Sequence, residues 1–424
     1  MQHLPWQKLD VPTRRHFLTR AAQAALGVSF LPMTSPLAQG ASGPGKAKRV
    51  VYLFLEGAAS HMDTFDPKPG AAEQGGTKAI GTKISGVQFG EHIPLLAASA
   101  DKLAVVRSMA TATAAHDQAR YLMRTSYKMI ATTRHPSMGA WLQHFRGRSN
   151  KELPGAVVVG NSSRHPGAGY LNAAMAPAPV PTASRGLENT KPPKYLTDDQ
   201  FDKRMRLSSR FDQAFLRHYQ DSGVQSYLDF YSEAVSLLKS SDLDAFDINK
   251  EDAKVKERYG ATPLGQGCLL ARRLLEVGIN FVEVVSGGWD LHRDIFTTMP
   301  NKGGELDQAM TALLEDLEQK GMLEDTLVVL TTEFGRTPKI NQNSGRDHHP
   351  SAFSSVLAGG GIAGGQVYGK TDKSAIAVDE NPVAPEDLNA TIAQALNLPL
   401  KQEVISPVGR PFKVAHDGTP LPLF

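Results

Sequence analysis

Short segments rich in apolar residues recur along the chain: Val50–Leu55, Leu103–Val106, Ala156–Val159, Asn280–Val285, Thr326–Thr331 and Ala352–Leu357. Apolar runs of this length are the pattern of strands buried on both faces. Between them lie stretches with helical spacing, at 117–130, 137–146, 264–277, 304–320 and 386–396. In 137–146, Ser137 stands at the start and Met138, Trp141, Leu142 and Phe145 form an apolar stripe. Strands alternating with helices predict an α/β fold, a doubly wound and mostly parallel sheet covered on both faces. The sequence shows no internal repeat.

Two regions depart from this rhythm. Residues 165–195 are rich in Pro, Ala and Gly, and 197–259 are charged with a helical pattern. Neither resembles a buried parallel strand, so about 165–260 reads as a helical insertion. At the other departure, Arg14-Arg15-His16-Phe17-Leu18 precedes an apolar run from Ala21 to Leu31 and the small residues Ala38-Gln39-Gly40. A basic segment, a short apolar segment and a small-residue exit define a secretory signal, and paired arginines make it a twin-arginine signal. The apolar run is too short to span a bilayer comfortably. The expected organisation is a signal at 1–40, a flexible linker at 41–49 and one α/β domain at 50–424. The twin-arginine translocation machinery is then a partner, the location periplasmic or extracellular, and the mature chain has no membrane span.

Charge adds little. Lys and Arg number 46 against 43 Asp and Glu, so overall balance gives no reason to expect nucleic acid or an anionic membrane. The one cysteine, Cys268, excludes an intramolecular disulfide and reads as a small buried hydrophobe within a helix.

In a doubly wound sheet, ligands bind at the carboxyl ends of the strands, and polar residues gather there. Glu56 and Asp63 follow the first strand, and His116 and Asp117 follow the second. Asp290 and His292 follow Asn280–Val285, and Glu333 and Arg336 follow Thr326–Thr331. Arg346, Asp347 and His348 come just before Ala352–Leu357. Carboxylates mixed with imidazoles suit Zn²⁺ or Mn²⁺ first, with Ca²⁺ or Mg²⁺ as alternatives. There is no Gly-x-Ser-x-Gly elbow, P-loop or Cys-x-x-Cys pattern.

Phe65-Asp66-Pro67-Lys68-Pro69, Gly288-Trp289-Asp290-x-His292, Glu333-Phe334-Gly335-Arg336-Thr337-Pro338-Lys339 and Gly345-Arg346-Asp347-His348 resemble the DUF1501 family of exported bacterial proteins. So does Gly359-Gly360-Gly361-Ile362-x-Gly364-Gly365. The likeness runs from Val50 to Gly409 and places the chain in the alkaline phosphatase/sulfatase-like superfamily. That resemblance implies a two-metal site and hydrolysis or transfer of phosphate or sulfate esters. It implies metal ligands at Glu56 (with Asp63 as rival), Asp290, His292, Glu333, Asp347 and His348. Phe334 stands where a ligand His is usual, so one metal loses a ligand.

His116 and Arg120 fall where sulfatases have their nucleophile and arginine, so formylglycine chemistry is excluded. His116 then either ligates a metal, with activated water attacking, or attacks phosphorus itself. Arg120 or Arg336 is expected to bind the oxyanion. The leading expectation is an exported metal-dependent hydrolase of phosphate or sulfate esters, acting on a small substrate the sequence does not identify. The alternative is a non-catalytic exported binding or surface-assembly protein on the same fold.

Overall fold

The computed structural model describes residues 45–187, 197–219 and 240–424. The signal and most of the linker expected at 1–49 lie outside them.

The domain is built on one eight-stranded sheet. Its strands are β1 (Arg49–Leu55), β2 (Leu103–Met109), β3 (Ala156–Val159), β4 (Ala178–Val180), β5 (Phe281–Ser286), β6 (Thr326–Thr332), β9 (Phe353–Ala358) and β10 (Gln366–Tyr368). A small hairpin, β7 (Gly335–Arg336) with β8 (His348–His349), stands apart from it. The spatial order is β10-β2-β9-β6-β1-β5-β3-β4. β1 sits centrally, parallel to β5 on one side and β6 on the other. Only β9 is antiparallel to its neighbours.

β1 shows why this sequence makes a two-faced sheet. Val51, Leu53 and Leu55 point into one core layer, and Val50, Tyr52 and Phe54 into the other. An entirely apolar strand is the one that can be buried on both faces. The first layer is covered by α4 (Pro263–Glu276) and α5 (Ile295–Gln319). The second is covered by α1 (His116–Thr125), α2 (Met138–Arg146) and α6 (Pro385–Ala395). A further helix, α3, spans Asp198–Tyr219. Among the described residues no helix is long and apolar enough to cross a membrane.

The expected doubly wound, mostly parallel α/β architecture is thus the observed one, with corrections. α1 stops at Thr125 rather than 130, because Ser126 turns left-handed at φ 67° and its N–H closes onto the Leu122 carbonyl. α5 begins at Ile295 rather than 304 and carries Pro300 inside it. Burial of Ile295 and Met299 outweighs the weak helix propensity of the Pro and Gly residues there. Ala178–Val180, placed in the insertion by its composition, is the sheet's edge strand, where Pro179 is tolerated for want of a partner on one side. Residues 188–196 and 220–239 of the expected insertion lie outside the described residues.

One buried ion pair fixes α1 on the sheet. Glu283, in the middle of β5, is 2% exposed and meets Arg124 at 2.7 Å and His165 at 3.1 Å. Arg124 also lies 4.0 Å over the Phe54 ring. Burial pushes the Glu283 carboxyl up, but Arg124 and His165 outweigh it and bring it down from 4.5 to about 2. Its stabilising contribution is therefore complete above pH 4.5 and is lost as pH falls toward 2. Glu283→Gln should lower unfolding free energy at neutral pH by about 3 kcal/mol, since Arg124 is left buried without a countercharge. Urea denaturation should also show a shallower acid dependence in the variant than in wild type.

Candidate metal centre

Every parallel strand delivers its carboxyl end to one edge, and the polar loops meet there. β9 runs the other way, so its amino end reaches the same edge. This is why His348, which precedes a strand in sequence, joins residues that follow strands.

His116 is the first residue of α1. Its Nδ1 lies 2.8 Å from the Glu333 carboxylate, and its Nε2 lies 3.1 Å from His348 Nε2 and 3.5 Å from Asp290 Oδ2. His348 donates from Nδ1 to the Ala114 carbonyl at 2.9 Å, and its Nε2 lies 3.2 Å from Asp290 Oδ1. His292 places Nδ1 2.8 Å from Asp347 Oδ1 and Nε2 3.1 Å from Asp290 Oδ1. Each imidazole thus has Nδ1 on an acceptor that carries no proton and turns Nε2 toward Asp290. His116, Asp290 and His348 form a group able to hold a metal ion.

The surrounding groups fix these orientations. Glu333 is fully buried; it accepts from the Gly57 N–H at 2.9 Å, and Thr332 donates to its other oxygen at 3.1 Å. Burial pushes its carboxyl up, but the bonds from His116 and the backbone outweigh that and hold it below its ordinary value. Asp290 likewise ends low, at about 2, because Arg336 outweighs its partial burial. Burial and the Arg336 charge lower His348, which favours the neutral imidazole a metal requires. Phe334, fully buried, forms an apolar floor with ring centres 4.9 Å from His116 and 4.8 Å from His348. Two glycines let the loops meet. At Gly57, φ is +116° and a Cβ would stand 2.5 Å from the Asp290 nitrogen; at Gly345 a Cβ would stand 2.1 Å from the His292 carbonyl carbon.

Of the expected residues, the structure brings His116, Asp290, His292, Glu333, Asp347 and His348 together. It does not bring Asp63. That carboxylate is fully buried, bonded at 2.7 Å to the buried Arg346 and also to Ser60 and Thr77. Glu56 is committed to Arg120, which also bonds Asp117 at 2.7 Å. Arg336, expected at an oxyanion, is fully buried; it donates to the Ala58, Gly57 and Arg346 carbonyls and to Asp290. Cys268 is buried in α4, and burial pushes its thiol up to about 12.

Sequence reading missed Asn341, which bonds Asp347 at 2.9 Å and the His292 carbonyl at 3.0 Å. It also missed Thr332 and the Ala114 carbonyl. Asn341 lies in a polar turn segment, and nothing in that composition separates it from an ordinary turn residue.

Solved structures with a likeness to this one include the lipoteichoic acid synthase LtaP from Listeria monocytogenes, at 10% identity and TM-score 0.41 over 90% of this chain and 79% of that one. A protein in the alkaline phosphatase superfamily from Vibrio parahaemolyticus matches at 11% identity and TM-score 0.38 over 93% and 76%. The sulfatase PsFucS1 from Pseudoalteromonas sp. matches at 13% identity and TM-score 0.37 over 92% and 72%. No curated protein matches the sequence. The family model described as "Protein of unknown function (DUF1501)" matches residues 47–422, and the chain belongs to that family.

Proposed function

We propose that the protein is an exported metal-dependent hydrolase of phosphate or sulfate esters, with one divalent cation held by His116, Asp290 and His348, and His292 beside Asp290. The observation that carries this reading is the meeting of His116 Nε2 and His348 Nε2 at 3.1 Å. Both Nδ1 atoms face pure acceptors, a carboxylate and a carbonyl, so each must carry its ring's proton. With both Nε2 atoms unprotonated, their lone pairs point at one another, an arrangement that a cation between them satisfies.

Charge and spacing support the same assignment. Asp290, Glu333 and Asp347 face the single guanidinium of Arg336, leaving two negative charges for a divalent ion to offset. The His116 and His348 Nε2 and Asp290 Oδ atoms stand 3.1 to 3.5 Å apart, against roughly 3.3 Å between ligands of a tetrahedral zinc. Imidazoles with one carboxylate suit Zn²⁺ or Mn²⁺. When bound, the cation supplies Lewis acidity toward an ester oxygen and toward water. The chain's own part is orientation. Glu333 and Asp347 hold imidazole protons on Nδ1, Arg336 holds Asp290, and Phe334 closes the floor against solvent. This assigns Glu333 and Asp347 to the support of ligands rather than to direct coordination.

A second reading, a non-catalytic metal-binding protein on the same fold, is favoured by one feature. Arg120 and Arg336, the expected oxyanion partners, are both engaged in internal ion pairs.

Elemental analysis of purified protein should find close to one Zn or Mn per chain. His116→Ala and His348→Ala should remove it, whereas Glu333→Gln and Asp347→Asn should weaken affinity about 10–100-fold. Full metal content in both histidine variants excludes the assigned site.

A screen of phosphomonoesters, phosphodiesters and sulfate esters should find turnover that falls at least about 100-fold in His116→Ala with the fold intact. Metal without turnover selects the second reading.

Export rests on Arg14 and Arg15. Replacing both by Lys should retain the full-length precursor in the cytoplasm on cell fractionation; unchanged export excludes the twin-arginine route.

A further inference from the structure

The outward face of α3 is neither polar nor covered. Leu207 is 54% exposed and Phe211 67%, the latter the most exposed large hydrophobic side chain among the described residues. They lie four residues apart, one helical turn, and so form a single ridge. The same face carries cations at the same spacings. Lys203 precedes Leu207 by four residues, Arg204 precedes it by three and Arg210 follows it by three; all are exposed. Arg206 is exposed as well, and from Lys203 to Phe211 the sequence has no carboxylate. Asp202 and Asp212 bound this stretch in sequence, each five residues from Leu207 and so away from the ridge, and Asp199 pairs with Lys203 at 2.7 Å. Phe201 and Met205, on the other side, are half-buried. The helix therefore presents an apolar ridge, edged by cations, to the outside.

We propose that this face of α3 is a docking surface for anionic phospholipid. A protein partner with a matching hydrophobic groove needs the ridge but not the cations on both flanks. A nucleic acid needs the cations but not exposed Leu and Phe side by side. An anionic bilayer uses both: apolar side chains enter the headgroup boundary while Lys and Arg remain at the level of the phosphates. The chain's near-zero overall charge hides this local patch. The surface shares no residue with the candidate metal site, and its role does not depend on catalysis.

The test is sedimentation of the full-length mature protein with vesicles of phosphatidylglycerol in phosphatidylcholine, or of phosphatidylcholine alone. The protein should pellet with the anionic vesicles, not the neutral ones, and high salt should release it. Arg204→Gln with Arg210→Gln should lower the partition coefficient about thirtyfold. Leu207→Gln with Phe211→Gln should lower it at least about tenfold. Glutamine keeps helix propensity, and unchanged metal content and circular dichroism would show each variant folded. Binding that is absent in wild type, or unaltered in both double variants, overturns the proposal. So does analytical ultracentrifugation showing a dimer that Leu207→Gln with Phe211→Gln converts to monomer, because a second copy then occupies the ridge.

Discussion

The site is held together by the buried guanidinium of Arg336. It reaches the carbonyls of Gly57 and Ala58 behind β1, the carbonyl of Arg346 at the start of the β8 strand, and the carboxylate of Asp290 behind β5. Three loops far apart in sequence are thereby tied to one planar cation. Arg is the side chain suited to this, since its five donors lie in a fixed fork and its charge cannot be shed by deprotonation. A charge buried this deeply demands an anion beside it, and Asp290 is that anion. Asp290 is consequently oriented by one partner while its oxygens face three imidazoles. The geometry of the candidate site thus follows from satisfying a buried positive charge.

Much of this was legible in the sequence, and the rest was withheld for definite reasons. Strands β1, β5 and β6 could be read because burial on both faces leaves mainly apolar residues along them, with Glu283 the one buried acid. β4 could not, since Ala-Pro-Val at an edge looks like loop. The direction of β9 is a tertiary property, yet it decides that residues before a strand reach the site. Types and edge of the site residues were readable. Which side of the β1 loop each carboxylate takes was not: Asp63 turns away because Arg346, 283 residues later, is buried against it. Nor does sequence show which nitrogen of a histidine faces a ligand and which faces a support.

Two buried ion pairs of different kind serve the site at different ranges. Glu283 with Arg124 locks the carboxyl-terminal half of α1 to the centre of the sheet. Asn389 of α6 holds the same end, bonding the Met123 carbonyl and Ser126. With that end fixed, the amino end of α1 has little freedom, and His116 arrives at Glu333 as a property of the helix's rigid placement. Asp63 with Arg346 does the corresponding work on the β1 loop, because Arg346 also donates to the Glu73 and Gln74 carbonyls. Side chains placed on such supports are held in position before any ligand enters.

The number of cations the site can hold follows from what surrounds it. A second ion beside the first needs its own set of free donors within reach. On the side of Glu333, the position where the resemblance has an imidazole is Phe334, a fully buried ring packed on both His116 and His348. On the side of Glu56, the carboxylate is neutralised by Arg120, whose other nitrogen bonds Asp117. Asp63 is withdrawn into the core. The carboxylates left, Glu333 and Asp347, each spend an oxygen on a histidine Nδ1. Among the described residues one group of donors, His116, Asp290 and His348, comes together, beside the carboxylates Glu333 and Asp347. Where the resemblance implies a second metal, the neighbouring positions are thus occupied by an aromatic ring and an arginine.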